Sequence, residues 1–114
     1  MISRQWRGLC KPELAEAYVE HLQTETFPAV SRISGFVSAS VLRRQTDRGI
    51  EFLINTQWIS IEAIREFAGA EADTAVVPPK VQGMMVEYDH VVRHYEVVAG
   101  AFAEPTDLPT DPPT

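Results

Sequence analysis

Residues 51–69 read EFLINTQWISIEAIREFAG, and two periodicities meet inside them. From Glu51 to Trp58 the run is rich in Phe, Ile, Leu, Thr and Trp, the composition of a strand. Ser60 then offers a side-chain cap, and Ile61, Ile64, Phe67 and Ala68 recur at helical spacing as far as Gly69, a natural stop. Immediately upstream, TDRG at 46–49 has the chemistry of a hairpin turn, with a glycine free to take positive φ. Phe36 to Arg44 is therefore the other arm of a hairpin.

Working outward, residues 2–8 (ISRQWRG) form a short first strand. Pro12 opens a helix, with Glu13 and Glu16 in its first turn to complement the helix dipole. Leu14, Tyr18 and Leu22 supply its apolar stripe. Pro28 lacks an N–H, which predicts a helix end or kink at Phe27, with a last turn through Val30 and Ile33 packing below it. Beyond Gly69, Pro78 opens a short helix through Met84, and Val91 to Val98 reads as the final strand. The order is β-α-β-β-α-β, an α+β chain with the ferredoxin-like arrangement and an antiparallel sheet.

Helices cover one face of such a sheet. Apolar residues nevertheless fall on both parities: Phe52 and Ile54 against Leu53, and Val91 and Val97 against Val92 and Val98. Burial on both sides is expected, and a symmetric dimer closing a barrel supplies it. Residues 1–100 are read as one domain and 101–114 as an acidic, proline-rich tail whose run of prolines starts after Glu104.

Composition narrows the function classes. The formal charge of −6 and the small size of the Arg43-Arg44-Arg48 and Arg4-Arg7 clusters argue against nucleic acid. No run approaches the ~20 apolar residues of a membrane span. Residues 1–6 lack the apolar centre of a signal peptide. Cys10 is the one cysteine, so no internal disulfide forms, which suits a cytoplasmic protein. It reads as a small apolar residue rather than a nucleophile.

The three histidines carry no metal-ligand spacing. On an extended strand His90 and His94 would lie roughly 13 Å apart, too far to share an ion. No nucleophile elbow or phosphate-cradling glycine loop is present. Face arithmetic is more informative. Trp58 shares a face with Thr56, Ile54 and Phe52, and Trp6 with Arg4 and Ile2. Both tryptophans and Arg4 either line one cavity under the helices, suited to a flat and partly anionic ligand, or simply fill core. Asn55 falls on the opposite face as a hydrogen-bonded interface residue, and Arg93 and Glu96 are candidates to pair across a dimer.

The 51–69 segment also resembles the strand–helix core of the antibiotic biosynthesis monooxygenase superfamily. Gly35-Phe36, Ala75 to Pro78, Asp89 and His94 to Val97 are similar to a bacterial branch of that superfamily, of unassigned role. The likeness spans residues 2–98. It implies a dimeric α/β barrel and a homodimeric small-molecule binder, possible activity being that of a cofactor-independent monooxygenase on a phenol or quinol. Arg4, Trp6, Tyr18 and Trp58 would then hold the substrate, and His21 or His94 would take its proton. The alternative is a non-catalytic dimeric binding module, and a weaker one is heme binding or degradation. Heme degraders of the superfamily use an asparagine on the first strand and a histidine after the second helix. Here Gln5-Trp6-Arg7 occupies the first place, and residues 68–77 contain no histidine. A function without cofactor or metal is expected.

Overall fold

A computed structural model describes residues 1–101. The acidic proline-rich segment expected after residue 100 lies, apart from Ala101, outside the described residues. Five strands form one antiparallel sheet: β1 (Ile2–Cys10), β2 (Phe36–Thr46), β3 (Gly49–Trp58), β4 (Met85–Tyr88) and β5 (Arg93–Glu96). The spatial order is β2-β3-β1-β4, with β5 also paired to β1. This is the α+β, ferredoxin-like sheet expected from the hairpin and the capped helix.

Register explains which side chains meet. Ile2 faces Trp58, Arg4 faces Thr56, Trp6 faces Ile54 and Gly8 faces Phe52, so both parities assigned by alternation hold across β1 and β3. Arg4, Trp6, Thr56 and Trp58 all point toward the helices. The hairpin turns at Gly49, where φ is +148° and an added Cβ would lie 2.5 Å from the Cys10 carbonyl oxygen.

The helical layer is α1 (Ala15–His21), α2 (Phe27–Val30), α3 (Ile61–Ala68) and α4 (Pro79–Gln82). A short 3₁₀ turn at Pro12–Leu14 leads into α1. Pro28 neither ends nor sharply breaks the first helix. A π-helical turn at Leu22–Thr26 joins α1 to α2, with the Phe27 N–H reaching back five residues to the Leu22 carbonyl. The wider turn makes room for a ring that would clash with the carbonyl four residues before it. Ser60 caps α3 by accepting from the Ala63 N–H at 3.2 Å, and Gly69 ends it at positive φ.

The last strand departs from expectation. In place of one strand over 91–98, β4 pairs with Gly8–Cys10 and β5 with Ile2–Gln5, and residues 89–92 bow out between them. The bowed segment finds its own partner: Thr74 bridges Val91, the Ala75 N–H donates to the His90 carbonyl, and the Val92 N–H to the Asp73 carbonyl. β4 was not predicted because Met85–Tyr88 is too short to show a period. His90 consequently sits outside any strand, and Val91, Val92, Val97 and Val98 flank β5 rather than alternating along it.

Two apolar clusters fill the space between sheet and helices. One gathers Cys10, Tyr18, Leu22, Phe52, Val81 and Met85; the other gathers Val30, Trp58, Ala63, Ile64 and Ala72. The opposite face of the sheet is mixed. Leu42 lies opposite Leu53 there, beside Glu51, which takes Arg7 at 2.9 Å and Arg44 at 2.8 Å. Those two hydrogen bonds, Arg44 first, hold the Glu51 carboxyl below the usual carboxylate range. Ser3 donates to Asn55 Oδ1 at 2.5 Å on the same face. No helix among the described residues is long and apolar enough to cross a membrane.

Candidate functional site

A cavity of about 80 Å³ opens at the seam between the two clusters. Its floor is the helix-facing side of β1 and β3, with Arg4, Trp6, Ile54 and Thr56. Its roof is the first helix, with Tyr18, His21 and Phe27, and its side wall runs through Val76, Val77, Pro78 and Val81. The lining is mainly apolar and aromatic, and a few polar groups converge on it, the pattern of a ligand site.

His21 and Glu25 stand one helical turn apart, so they share a face. The imidazole is buried and Glu25 lies at the rim, with His21 Nδ1 to Glu25 Oε2 at 2.7 Å. A carboxylate accepts, so Nδ1 carries a proton, and in the neutral imidazole the lone pair is then on Nε2. Lys80 reaches the same Glu25 oxygen at 3.1 Å. The hydrogen bond from Lys80, then that from His21, keeps the Glu25 carboxyl below its ordinary range. The trio therefore ties α4 to the π turn at the cavity rim and fixes the imidazole tautomer.

Arg4 enters from the floor. It is only 4% exposed, and its guanidinium donates to the carbonyls of Ala72 at 2.5 Å and Thr74 at 2.9 Å. A third contact is His94 Nε2 at 3.1 Å. Arginine is donor-only, so His94 Nε2 accepts, and its Nδ1–H donates to Asp73 Oδ1 at 3.0 Å. The Phe67 ring lies 5.6 Å from the guanidinium carbon, within cation–π range. Burial lowers the Arg4 pKa to about 10, against a smaller opposing pull from Asp73, and leaves it charged at neutral pH.

Two hydroxyls complete the site. Trp58 Nε1–H donates to Thr56 Oγ1 at 2.9 Å, so the Thr56 proton is left to point elsewhere. Tyr18 packs edge-on against Phe52 with centroids 4.9 Å apart, and burial raises its phenol pKa, keeping it a neutral donor. Every fully buried side-chain nitrogen and oxygen among the described residues has a partner. Arg4 Nε, His21 Nε2 and the Tyr18 hydroxyl have no partner among the described residues, and all three side chains line the cavity.

The structure thus brings together Arg4, Trp6, Tyr18 and His21 and leaves Trp58 and His94 one layer behind. Trp58 is wholly buried among Phe36, Phe67 and Thr56, because its register partner Ile2 lies a full residue pair beyond Arg4. His94 faces Arg4 across β5 and β1. Trp6 closes the other end, its Nε1–H donating to the Asp89 carbonyl at 2.8 Å. Thr56, Glu25, Asp73 and Phe67 were not singled out from sequence. Glu25 was within reach as the carboxylate four residues after His21; Asp73 was not, since the bowed 89–92 segment brings it in. Among the described residues no three metal-ligating side chains come together.

No protein-family model and no curated protein matches the chain. Solved structures share its fold. A Bacillus cereus protein classed as an antibiotic biosynthesis monooxygenase aligns at 21% identity over 90% of this chain and 96% of that one, with a TM-score of 0.62. SnoaB, a cofactor-independent oxygenase from Streptomyces nogalater, aligns at 14% identity over 87% and 94%, with a TM-score of 0.61. The heme-degrader MhuD from Mycobacterium tuberculosis, with two hemes bound in its active site, aligns at 20% identity over 90% and 100%, with a TM-score of 0.56. At these identities the likeness is one of fold: the chain has the fold of the antibiotic biosynthesis monooxygenases.

Proposed function

We propose that this protein is a cofactor-independent monooxygenase acting on a small phenol or quinol. The observation that carries the reading is His21: its Nδ1–H is committed to Glu25, its Nε2 has no partner among the described residues, and its ring lines an apolar, aromatic-walled cavity. An imidazole so oriented is a general base for a phenolic proton. Thr56 and Tyr18 are placed to donate to the phenolate oxygen, and the dry walls favour transfer of an electron from phenolate to dioxygen. For hydroquinone the balance is one quinol plus one O₂ giving one hydroxyquinone plus one water. One oxygen atom enters the ring, the other leaves as water, and the substrate supplies all four electrons. The proton taken by His21 departs with that water.

The reading has the site working without heme. At about 80 Å³ the cavity needs a modest opening to take one ring and one many times larger to take heme. His21 is the one histidine on its wall, and His94 spends its Nε2 on Arg4. A second copy of the chain is the natural cover for the far face of the sheet, where Leu42 and Leu53 adjoin the Glu51 ion cluster.

The test is oxygen uptake with hydroquinone in air, with the hydroxyquinone identified by mass. His21→Gln should keep the fold and lower turnover by about 10²–10⁴-fold, the usual worth of a positioned base. Wild-type protein that takes up no oxygen with any single-ring quinol would overturn the reading.

A further inference from the structure

We infer that the cavity takes a single-ring phenol bearing a carboxylate, with the carboxylate held by Arg4 and the phenolic hydroxyl turned to His21. The inference deepens the reading of the cavity as a substrate site and rests on it.

The charge balance of the interior is the first argument. Arg7, Arg43, Arg44, Arg48 and Lys80 each contact a glutamate. Arg4 is the buried cation among the described residues, and none of its direct partners is anionic. They are two carbonyl oxygens and a neutral imidazole. The nearest acid in its network, Asp73, makes contact only through His94, is itself largely in solvent, and pulls on the guanidinium too weakly to offset the cost of its burial. A buried charge without a counterion is costly. Here it sits at the floor of a cavity, its Nε–H without a partner among the described residues, where an incoming carboxylate completes the pairing. The carbonyl and imidazole contacts hold the guanidinium plane in place, so its donors are fixed before the ligand arrives.

Size is the second argument. A dry cavity of about 150 Å³ admits benzene, whereas this one measures about 80 Å³. One ring asks for a modest outward shift of the Val76–Val81 wall, which is tied across the rim by Lys80 and Glu25. A fused polycycle asks for several times that. Arg4 on the floor and His21 on the roof face each other across the ring, so the two acidic groups of the ligand belong on opposite sides of it.

The experiment compares 4-hydroxybenzoate with its neutral isostere 4-hydroxybenzamide by calorimetry and by quenching of tryptophan fluorescence. The acid should bind the wild type about tenfold tighter or more. Arg4→Gln, checked for fold by circular dichroism, should abolish the preference while leaving amide binding in place. Arg4 also secures Ala72 and Thr74, so a readout independent of the variant's folding is added. The Nε–H resonance of Arg4 in labelled wild-type protein supplies a second readout and should shift with the acid and not with the amide. Equal affinity for the two ligands, or an unmoved Arg4 resonance, overturns the inference. Oxygen uptake on hydroquinone in that case leaves the oxygenase reading standing. Tight binding of the acid without oxygen uptake on any phenol has the reverse meaning: the ligand class holds and the oxygenase reading falls.

Discussion

Replacing Gly8 by alanine should destabilise the protein, although the same change inside a strand ordinarily stabilises. Glycine costs a strand roughly 0.5–1 kcal/mol relative to alanine through its extra freedom in the unfolded chain. At position 8, however, an added Cβ would lie 2.4 Å from Trp6 Cη2, 2.8 Å from Trp6 Cζ3 and 3.0 Å from Met85 Sδ. Contacts that short do not persist, so the indole must move. It is not free to do so, being held by the Asp89 carbonyl and packed beside Tyr18 and Tyr88. Overpacking of this kind costs about 1–3 kcal/mol, and losing the indole hydrogen bond about 0.5–1.5 kcal/mol. Set against the backbone gain, the net loss is about 0.5–4 kcal/mol. A chain of this length unfolds with an entropy near 0.24 kcal/mol/K, so each kcal/mol moves Tm by about 4 °C. Thermal denaturation followed by circular dichroism should show a fall of about 2–16 °C. Displacement of Trp6 into the cavity should also weaken 4-hydroxybenzoate binding. A Tm that rises, with unchanged tryptophan emission, would refute the claim that Trp6 lies across Gly8 as a fixed wall.

Trp58→Phe removes a buried hydrogen bond to Thr56 and part of a sealed core, and should cost about 2–3 kcal/mol, a Tm drop of about 8–12 °C. Because Trp58 is not on the cavity wall, the affinity of the folded variant should change less than that of Trp6→Phe; the opposite order in calorimetry would contradict the assigned geometry. Glu51→Gln tests the far-face ion cluster through pH. The Glu51 carboxyl is lowered in the folded state, so its stabilisation is present above the ordinary carboxylate range and is lost as pH falls through the lowered value. Wild type should exceed the variant in Tm at neutral pH and converge with it in acid; a gap that persists below the carboxylate range would argue against the ion pairs. Hemin titration should give no saturable Soret shift, and one heme per subunit with a displaced band would contradict the size argument.

Much of the fold was legible because it is written in local chemistry. The TDRG turn, the Ser60 cap and the Gly69 stop each act within a few residues, and alternation then fixed which faces Arg4, Trp6 and Trp58 occupy. What alternation does not encode is distance along the strand. Trp6 and Trp58 share a face, yet their register partners, Ile54 and Ile2, put the Arg4–Thr56 pair between them. One tryptophan therefore walls the cavity while the other is sealed behind it. The split of the last strand was equally out of reach, because it depends on residues 73–75, which look like loop, pairing with 90–92, where the sequence reads as the start of an unbroken strand.

That split builds the site. An unbroken fourth strand would pair with β1 throughout and leave the 72–75 segment without a sheet partner. By bowing out at 89–92, the chain presents the Asp89 carbonyl to Trp6 and draws Asp73 and Thr74 toward the floor. Ala72 and Thr74 then clamp Arg4, and Asp73 fixes the tautomer of His94 that accepts from it. The roof is made the same way, by a π turn where the helix has to admit Pro28, with His21 just before that turn and Glu25 within it. Floor and roof thus owe their polar groups to the two places where regular structure gives way. Substitutions that restore regularity should act on binding before they act on stability. Pro28→Ala is the direct case: it removes the reason for the π turn, and should raise Tm while turning the His21–Glu25 pair away from Lys80 and the cavity. Measured as ligand affinity against Tm, a gain in both would show that the π turn is not what positions His21.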